Sequence, residues 1–248
     1  FKIITTAAGL QNGYSADSRV TGASEITLPG TETTLTNYGG QTCGGSEEVS
    51  LETAFALSCN TAFVEMGVDM GPDALRQSAE AFGVGETYDL GVPMASGSLG
   101  ELPDAAALGQ SAIGQYDVTM SALQAAVMAA TVANDGLRME PYLVDRITGT
   151  DLRELRSHDT HEVTQAVSPE IADQLTDLMF ASERNTAGGG DNGIASKTGT
   201  AEHGPEGTPP HTWYVAFDPD ADVAVAVVVK NVGGYGTTAT GGQVASPI

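Results

Sequence analysis

Positive charge is scarce in this sequence. The 248 residues include 10 Lys and Arg against 32 Asp and Glu, which gives a formal net charge of -22. A chain this acidic repels phosphate backbones and anionic lipid headgroups. The composition therefore argues against nucleic acid as a partner.

Long apolar runs are also missing. The longest, Val223 to Val229, is too short to cross a bilayer as a helix. No charged and then apolar signal sequence opens the chain. We therefore expect any membrane anchor to lie outside this sequence.

Cysteine is equally rare, because Cys43 and Cys59 are the only two. They form no Cys-x-x-Cys pair and no Cys/His cluster with zinc-binding spacing, so we expect no metal site. The pair could form a disulfide or remain as two buried thiols, and the residues alone do not decide between these alternatives.

Apolar residues are present at helical spacing through the first two thirds of the chain. With 41% hydrophobic content the chain can bury one sizeable core, so a single domain is the simplest expectation. Residues 11–48 are rich in Gly, Thr, Ser and Asn, which predicts irregular structure or short edge strands, and residues 84–116 are predicted to be a long loop. The predicted helices are an opening helix from Phe1 to Leu10, a helix after the cap Ser50, one from Asn60, one over 74–82 ending at Gly83, one over 119–133 capped by Thr119, and one from Ser168-Pro169.

The final third changes to the spacing of strands. Residues 194–200, 212–217 and 222–230 are predicted strands, and the short connection through residues 218–220 makes the last two antiparallel neighbours. Helices followed by strands predict an α+β domain in which helices flank an antiparallel sheet.

Lysine is the most informative residue type, because the chain contains only Lys2, Lys197 and Lys230. Lys197 is followed by Thr198-Gly199-Thr200 at the end of a predicted strand. Glycine lets the backbone approach a ligand, the hydroxyls can donate to a carboxylate, and the ammonium supplies positive potential. The alternative is an exposed strand end made of small residues.

Two weaker patterns accompany this one. Ser58 and Asn60 flank Cys59 between two predicted helices, where both side chains can point into one cleft, although Asn60 could simply begin the second helix. Lys2 lies among apolar residues of the opening helix. If buried there, its pKa would be lowered and it could accept a proton; the alternative is a charged lysine near a frayed terminus.

The order of these residues resembles the three-motif signature of the serine acyl-transferases that react with penicillin, in which the first motif is Ser-x-x-Lys. Lys2, Ser58-x-Asn60 and Lys197-Thr198-Gly199 occur in that order. Four further segments are similar to class B penicillin-binding proteins, especially the actinobacterial type: Gln110 to Gln115, Asn134-Asp135-Gly136, His211 to Tyr214, and Gly241 to Ala245.

This resemblance implies a penicillin-binding transpeptidase fold, similar to that of serine β-lactamases, with residues 1–248 as a single transpeptidase domain. If Phe1-Lys2 end a Ser-x-Phe-Lys motif, the nucleophilic serine lies three residues before Lys2, outside the sequence. We accordingly expect the domain to be truncated at its N-terminus, without the strands that precede that serine, and at its C-terminus, where a helix would continue.

The resemblance also implies a role for each motif residue. Lys2 would be the general base for the serine, which attacks a stem peptide ending in D-Ala-D-Ala. Ser58 would relay the proton to the leaving D-alanine, and Asn60 would hold the substrate amide. No cofactor is implied.

The third motif would bind the substrate and stabilise its charge. Lys197 would give electrostatic support, while Thr198 and Thr200 would bind the terminal carboxylate of the substrate or of a β-lactam. The backbone N–H of Thr200 would help to form the oxyanion hole, with Gly199 allowing the close approach. The implied activity is D,D-transpeptidation of peptidoglycan, with covalent binding of penicillin.

Other functions of the same fold stay open. No Glu-x-x-Leu-Asn occurs between the second and third motifs, so rapid β-lactam hydrolysis is not expected. A D,D-carboxypeptidase, a β-lactam sensor and a catalytically silent cell-wall or division scaffold remain alternatives. The expected ligands are peptidoglycan stem peptides, their lipid-linked precursor and β-lactams; other cell-wall or division proteins are further candidates.

Finally, the resemblance implies a location on the outer face of the plasma membrane, held by an N-terminal anchor outside this sequence. Disulfides persist in that compartment. The family setting therefore favours a bond between Cys43 and Cys59.

Overall fold

The fold is seen in a computed structural model that describes residues 1–186, 189–205 and 207–232. The segment Gly241 to Ala245 and the expected C-terminal helix lie outside the described residues.

The described residues form seven α-helices, and a buried helix lies at the centre of the fold. The first helix, α1, is buried along Lys2 to Leu10 and packs against α3, α4 and α7. The helices are α1 (Lys2–Gln11), α2 (Leu51–Ala56), α3 (Asn60–Met70), α4 (Pro72–Ala81), α5 (Ala105–Ala112), α6 (Ala122–Ala133) and α7 (Pro169–Asn185).

The strands are grouped into one three-stranded sheet and four two-stranded ones in the part of the chain that the structure describes. The three-stranded sheet has the order β11-β10-β9, all antiparallel. The strands are β1 (Arg19–Thr21), β2 (Glu25–Thr27), β3 (Thr34–Thr36), β4 (Glu48–Ser50), β5 (Leu137–Met139), β6 (Arg146–Thr148), β7 (Glu154–Ser157), β8 (Glu162–Gln165), β9 (Ala195–Ala201), β10 (His211–Asp218) and β11 (Val223–Val229).

The fold class expected from the sequence is confirmed. Helix α7 packs against β9, and α6 packs against β10 and β11, so helices flank the antiparallel sheet. The short strands between residues 11 and 48 also occur, paired as β1 with β4 and β2 with β3. The sequence analysis did not predict β5 to β8, whose sheets lie between α6 and α7.

Two predictions about residues 84–133 were wrong. Residues 84–116 are not one loop, because they contain α5, which begins after Asp104; the side chain of Asp104 accepts a hydrogen bond from the Ala107 N–H. Helix α5 is short and buried on most sides, so it shows no amphipathic stripe. Helix α6 is capped by Ser121, which forms a capping box with Gln124, and not by Thr119.

The helices meet in one large apolar core around α1. Side-chain to backbone bonds fix α1 within it: the Ser78 hydroxyl donates to Ile4 O at 2.9 Å, and the Thr5 hydroxyl donates to Ala112 O at 2.6 Å. The largest fully buried apolar side chains are Ile3, Ile4, Leu51, Phe55, Phe63, Met66, Leu75, Phe82, Leu175, Leu178 and Met179. No helix within the described ranges is both long and apolar enough to span a bilayer.

The turn after α6 requires glycine for two separate reasons. Gly136 has a φ of +77°, and a Cβ there would lie 2.3 Å from Val167 O. Gly30 has a similar φ of +75° but open space around it. Comparing alanine substitutions at Gly30 and Gly136 therefore separates the cost of backbone strain from the cost of steric overlap.

We expect Gly30→Ala to destabilise the protein by about 1 kcal/mol through left-handed strain alone. Gly136→Ala should cost at least about 2 kcal/mol more, because the methyl group would displace the backbone at Val167. Urea denaturation of both variants measures the difference. Equal losses of unfolding free energy would show that the overlap at Val167 has no consequence.

Candidate active site

Lys2 lies at the start of α1 and is buried, with 7% of its surface exposed. Its Nζ lies 2.6 Å from Ser58 O, 3.0 Å from Ser58 Oγ and 2.8 Å from Asn60 Oδ1. The structure thus brings the lysine of the opening helix together with both outer residues of the Ser58-x-Asn60 pattern.

These three contacts can form in both protonation states of Lys2, since an ammonium would donate to all three oxygens. Two of the partners, Ser58 O and Asn60 Oδ1, are oxygens that only accept, whereas the Ser58 hydroxyl can either accept or donate. A neutral Lys2 can donate to the first two and accept from the hydroxyl through its lone pair. The arrangement therefore gives a base in direct contact with a hydroxyl that can carry its proton onward.

Ser58 reaches this position because of an unusual turn between α2 and α3. Its φ is 59°, in the left-handed region that non-glycine residues rarely adopt. The Ser58 N–H donates to Phe55 O, and the Cys59 N–H donates to Ala54 O at 2.9 Å. Such strain costs of order 1 kcal/mol and persists where the surroundings hold it.

A disulfide supplies one such restraint. Cys43 and Cys59 are bonded, with their Cα atoms 5.8 Å apart. The bond connects the residue between Ser58 and Asn60 to the short 3₁₀ turn Cys43–Gly45. It therefore limits the movement of the α2–α3 turn.

Asn60 both begins a helix and faces the site, two roles that the sequence left open as alternatives. It is the first residue of α3, as a plain helix start would require. Its side chain nevertheless faces the site, since Oδ1 accepts from Lys2 while Nδ2 donates to Thr36 O at 3.2 Å. The amide is therefore held in one orientation by Lys2 and by β3.

Lys197 lies in β9 and is 4% exposed. Burial lowers its pKa from the ordinary 10.5 to about 7. Its Nζ donates to Thr198 O at 3.1 Å and lies 5.6 Å from the ring centroid of Phe55. Near neutral pH, the protonated and the neutral forms of Lys197 are therefore present in similar amounts.

The charge of Lys197 influences the ionisation of Lys2. Burial lowers the pKa of Lys2 well below its ordinary value, and the positive charge of Lys197 is the second cause. The Nζ of Lys2 lies 5.5 Å from the ring centroid of Phe63, which packs edge-on against Phe55. Four ion pairs occur within the described ranges, and neither lysine belongs to one.

The remaining residues of the third motif lie at the edge of the sheet. Within the described residues, β9 pairs only with β10, so its other side is free of strand partners. Thr198, Gly199 and Thr200 are half-buried there. Gly199 lies against Trp213, because a Cβ added at Gly199 would lie 3.3 Å from the Trp213 side chain. The side-chain amide of Gln115 donates a long, weak hydrogen bond to Thr200 O at 3.5 Å.

The arrangement offers a base, a proton-carrying hydroxyl, an oriented amide and a buried cation beside an open strand edge. This set can bind an anionic ligand and move protons around a reacting carbonyl. Within the residues that the structure describes, no cluster of three His, Cys, Asp or Glu side chains could hold a metal ion.

The polar support behind this strand was not predicted from the sequence. Glu183 lies in α7, is 2% exposed and accepts hydrogen bonds from Ser196 and Tyr214. One signal could have revealed it, because Glu183 falls four residues after Met179, on the apolar face of the predicted helix. A carboxylate on the buried face of a helix requires hydrogen-bond donors.

Comparisons with known proteins agree with the motifs. A family model described as the penicillin-binding protein transpeptidase domain matches residues 1–248. The peptidoglycan D,D-transpeptidase PbpA of Mycolicibacterium smegmatis is 50% identical, covering 100% of this chain and 52% of the relative. The corresponding protein of Mycobacterium tuberculosis is 47% identical, with the same coverage of both chains.

Solved structures give the same result. Penicillin-binding protein A from M. tuberculosis, as its penicillin G acyl-enzyme complex, is 46% identical with a TM-score of 0.92, covering 99% of this chain and 57% of that one. Its ceftriaxone acyl-enzyme complex has a TM-score of 0.94 at 46% identity, with the same coverage. The chain spans about half the length of the relatives it matches.

Burial of Lys197 should make stability depend on pH. The unfolded chain holds this lysine at its ordinary pKa of 10.5 and the folded protein at about 7, so the unfolded state binds more protons between these values. The free energy of unfolding should therefore rise with pH across that window, by up to about 1.4 kcal/mol per pH unit from this group. Lys197→Met should reduce the slope, measured by urea denaturation between about pH 7 and 10.

Lys230 provides the matched control, because it is the exposed lysine of the three. Lys230→Met should retain the slope of the unchanged protein. Identical slopes in both variants would mean that the folded state does not depress the pKa of Lys197.

Proposed function

The chain belongs to the penicillin-binding protein transpeptidase family, and from that premise we propose that it cross-links peptidoglycan stem peptides as a serine D,D-transpeptidase. The substrate ends in D-Ala-D-Ala, the intermediate is an acyl-enzyme, and penicillin acylates the same serine. The observation that carries the proposal is the contact of the Lys2 amine with Ser58 and Asn60, at a position where the charge of Lys197 helps to lower the pKa of Lys2.

The nucleophile of this mechanism is a serine three residues before Lys2, as in the family motif. Residues three apart on a helix share a face, which is consistent with a serine beside the Lys2 amine. The neutral amine takes the hydroxyl proton while the seryl oxygen bonds to the carbonyl carbon of the penultimate D-alanine. The lowered pKa of Lys2 supports this role, because only the unprotonated amine can act as the base.

Proton return to the leaving group would run through Ser58. Its hydroxyl lies 3.0 Å from Lys2 Nζ, so it can take the proton from that nitrogen and give its own to the amine of the terminal D-alanine. The carbon–nitrogen bond then breaks and the acyl-enzyme remains. An amine from a second stem peptide then attacks the acyl carbon and loses a proton to Lys2. The bond between the acyl carbon and the seryl oxygen breaks, the serine takes this proton back from Lys2, and the new amide bond is the cross-link.

The third motif would bind the anionic end of the substrate. Lys197 contributes positive potential, and the hydroxyls of Thr198 and Thr200 donate to the terminal carboxylate. The backbone N–H of Thr200 would stabilise the oxyanion, at the strand edge where Gly199 carries no side chain. Such a donor is worth about 3 kcal/mol in comparable sites.

We also propose that residues 1–248 belong to one transpeptidase domain that works on the outer face of the plasma membrane, with its anchor outside this segment. The Cys43–Cys59 disulfide supports an oxidising compartment. Stem peptides, their lipid-linked precursor and β-lactams are the proposed ligands, with other cell-wall or division proteins as candidate partners.

Labelling of the full-length protein with fluorescent penicillin tests the proposal. The unchanged protein should form a covalent adduct, and Lys2→Met should slow its formation at least about 100-fold, since the general base is lost. Lys230→Met changes an exposed lysine and should label at the normal rate.

Each other outcome identifies a different function. Absence of a covalent adduct in the unchanged, folded protein would contradict the enzyme assignment and favour a scaffold. If the adduct forms, incubation with a D-Ala-D-Ala stem peptide distinguishes the products: a cross-linked dimer supports transpeptidation, whereas release of D-alanine without dimer indicates a carboxypeptidase.

A further inference from the structure

A buried carboxylate lies directly behind the strand of the third motif. Three side chains direct hydrogen-bond donors at Glu183: the hydroxyl of Ser196, the hydroxyl of Tyr214 at 2.9 Å and the amide of Asn192 at 3.1 Å. Glu183, Ser196 and Tyr214 are all buried. Among the described residues, no cation forms an ion pair with Glu183.

Core packing alone does not explain this acid. Burying a carboxylate is costly unless hydrogen bonds replace its water, and an apolar side chain of similar size would avoid that cost. Gly189 also passes closely over the carboxylate, since an added Cβ there would lie 2.8 Å from Oε1. The backbone at Gly189 thus leaves room for the carboxylate, and three side chains satisfy its oxygens. We infer that these hydrogen bonds have a function beyond packing.

Strand β9, which carries Ser196, lies at the edge of the three-stranded sheet. Within the described residues, β9 has a backbone partner on one side only, namely β10. Ser196 immediately precedes Lys197, and Tyr214 lies opposite Thr198 in the strand register. The hydrogen bonds that these two hydroxyls donate to Glu183 thus join β9, β10 and α7 at the residues beside the third motif.

We propose that Glu183 is a positioning residue for acylation: by fixing Ser196 and Tyr214, it holds Lys197 and Thr198 where the substrate carboxylate binds. The inference rests on the proposed function, since it concerns the same site. Fully satisfied polar networks specify one arrangement of the groups that they join. Displacement of a binding group by about 1 Å can slow a reaction by roughly 100-fold.

The rate of acylation by penicillin in the full-length protein tests this inference. Ser196 and Tyr214 both donate to Oε2 of Glu183, and Asn192 donates to Oε1. Glu183→Gln keeps the size of the side chain but replaces one of these acceptor oxygens by a donor, so the amide cannot accept from all three partners at once, and the loss of the negative charge weakens the bonds that remain. The rate constant should fall about 10- to 100-fold. Tyr214→Phe removes a single donor and should produce a smaller decrease, about three- to tenfold.

Asp177→Asn is the matched control, because it changes a carboxylate to an amide on the exposed side of the same helix. Its rate constant should equal that of the unchanged protein. The fraction of protein that becomes labelled is measured together with the rate constant. A purely structural defect lowers that fraction, or the melting temperature, without slowing the molecules that still react.

The possible results separate the two proposals. If the unchanged protein forms no adduct, the proposed function itself fails. If it reacts and Glu183→Gln reacts at the same rate, or Asp177→Asn slows equally, the positioning role is overturned. Should Glu183→Gln fail to fold, Tyr214→Phe decides the matter, and a normal rate constant in that variant overturns the inference.

Discussion

The burial of two lysine side chains, with no carboxylate partner among the described residues, is the constraint on which the site depends. Lys2 and Lys197 both lose water on burial, which lowers the pKa of each, and the charge of Lys197 lowers the pKa of Lys2 further. The compensation comes from the edge-packed rings of Phe55 and Phe63 and from neutral oxygens such as that of Asn60. None of these groups is an anion, so they leave the positive potential at the site unneutralised, and this is why we propose that the site binds the carboxylate of the substrate.

Holding two such groups together requires rigid surroundings, and these come from three different parts of the chain. Helix α1 carries Lys2 through the centre of the core, the disulfide at Cys59 restrains the strained turn at Ser58, and Glu183 supports the strand that carries Lys197. Each support is buried or covalent. In a chain with a net charge of -22, two of the three lysines nevertheless lie in this site.

Much of the fold followed from periodicity, because α7, β10 and β11 have clear apolar faces. Prediction failed where burial removes that signal. Helix α5 consists mostly of small residues and is buried on most sides, so its sequence has no polar face to mark it. The two-stranded sheets of β5 to β8 are short and largely exposed, and their pairing depends on contacts between distant residues. In both cases tertiary contacts, and not local preference, decide the structure.

The sequence by itself determined which residues are chemically unusual, since three lysines, two cysteines and one ordered set of motifs can be read without coordinates. It also determined the fold class, because helical and strand periodicities are local properties. Only the tertiary structure decided that Lys2 contacts Ser58 and Asn60, and that Glu183 supports β9. Those contacts join residues far apart in the chain, and the pKa changes of both lysines arise from burial, which exists only after the chain has folded.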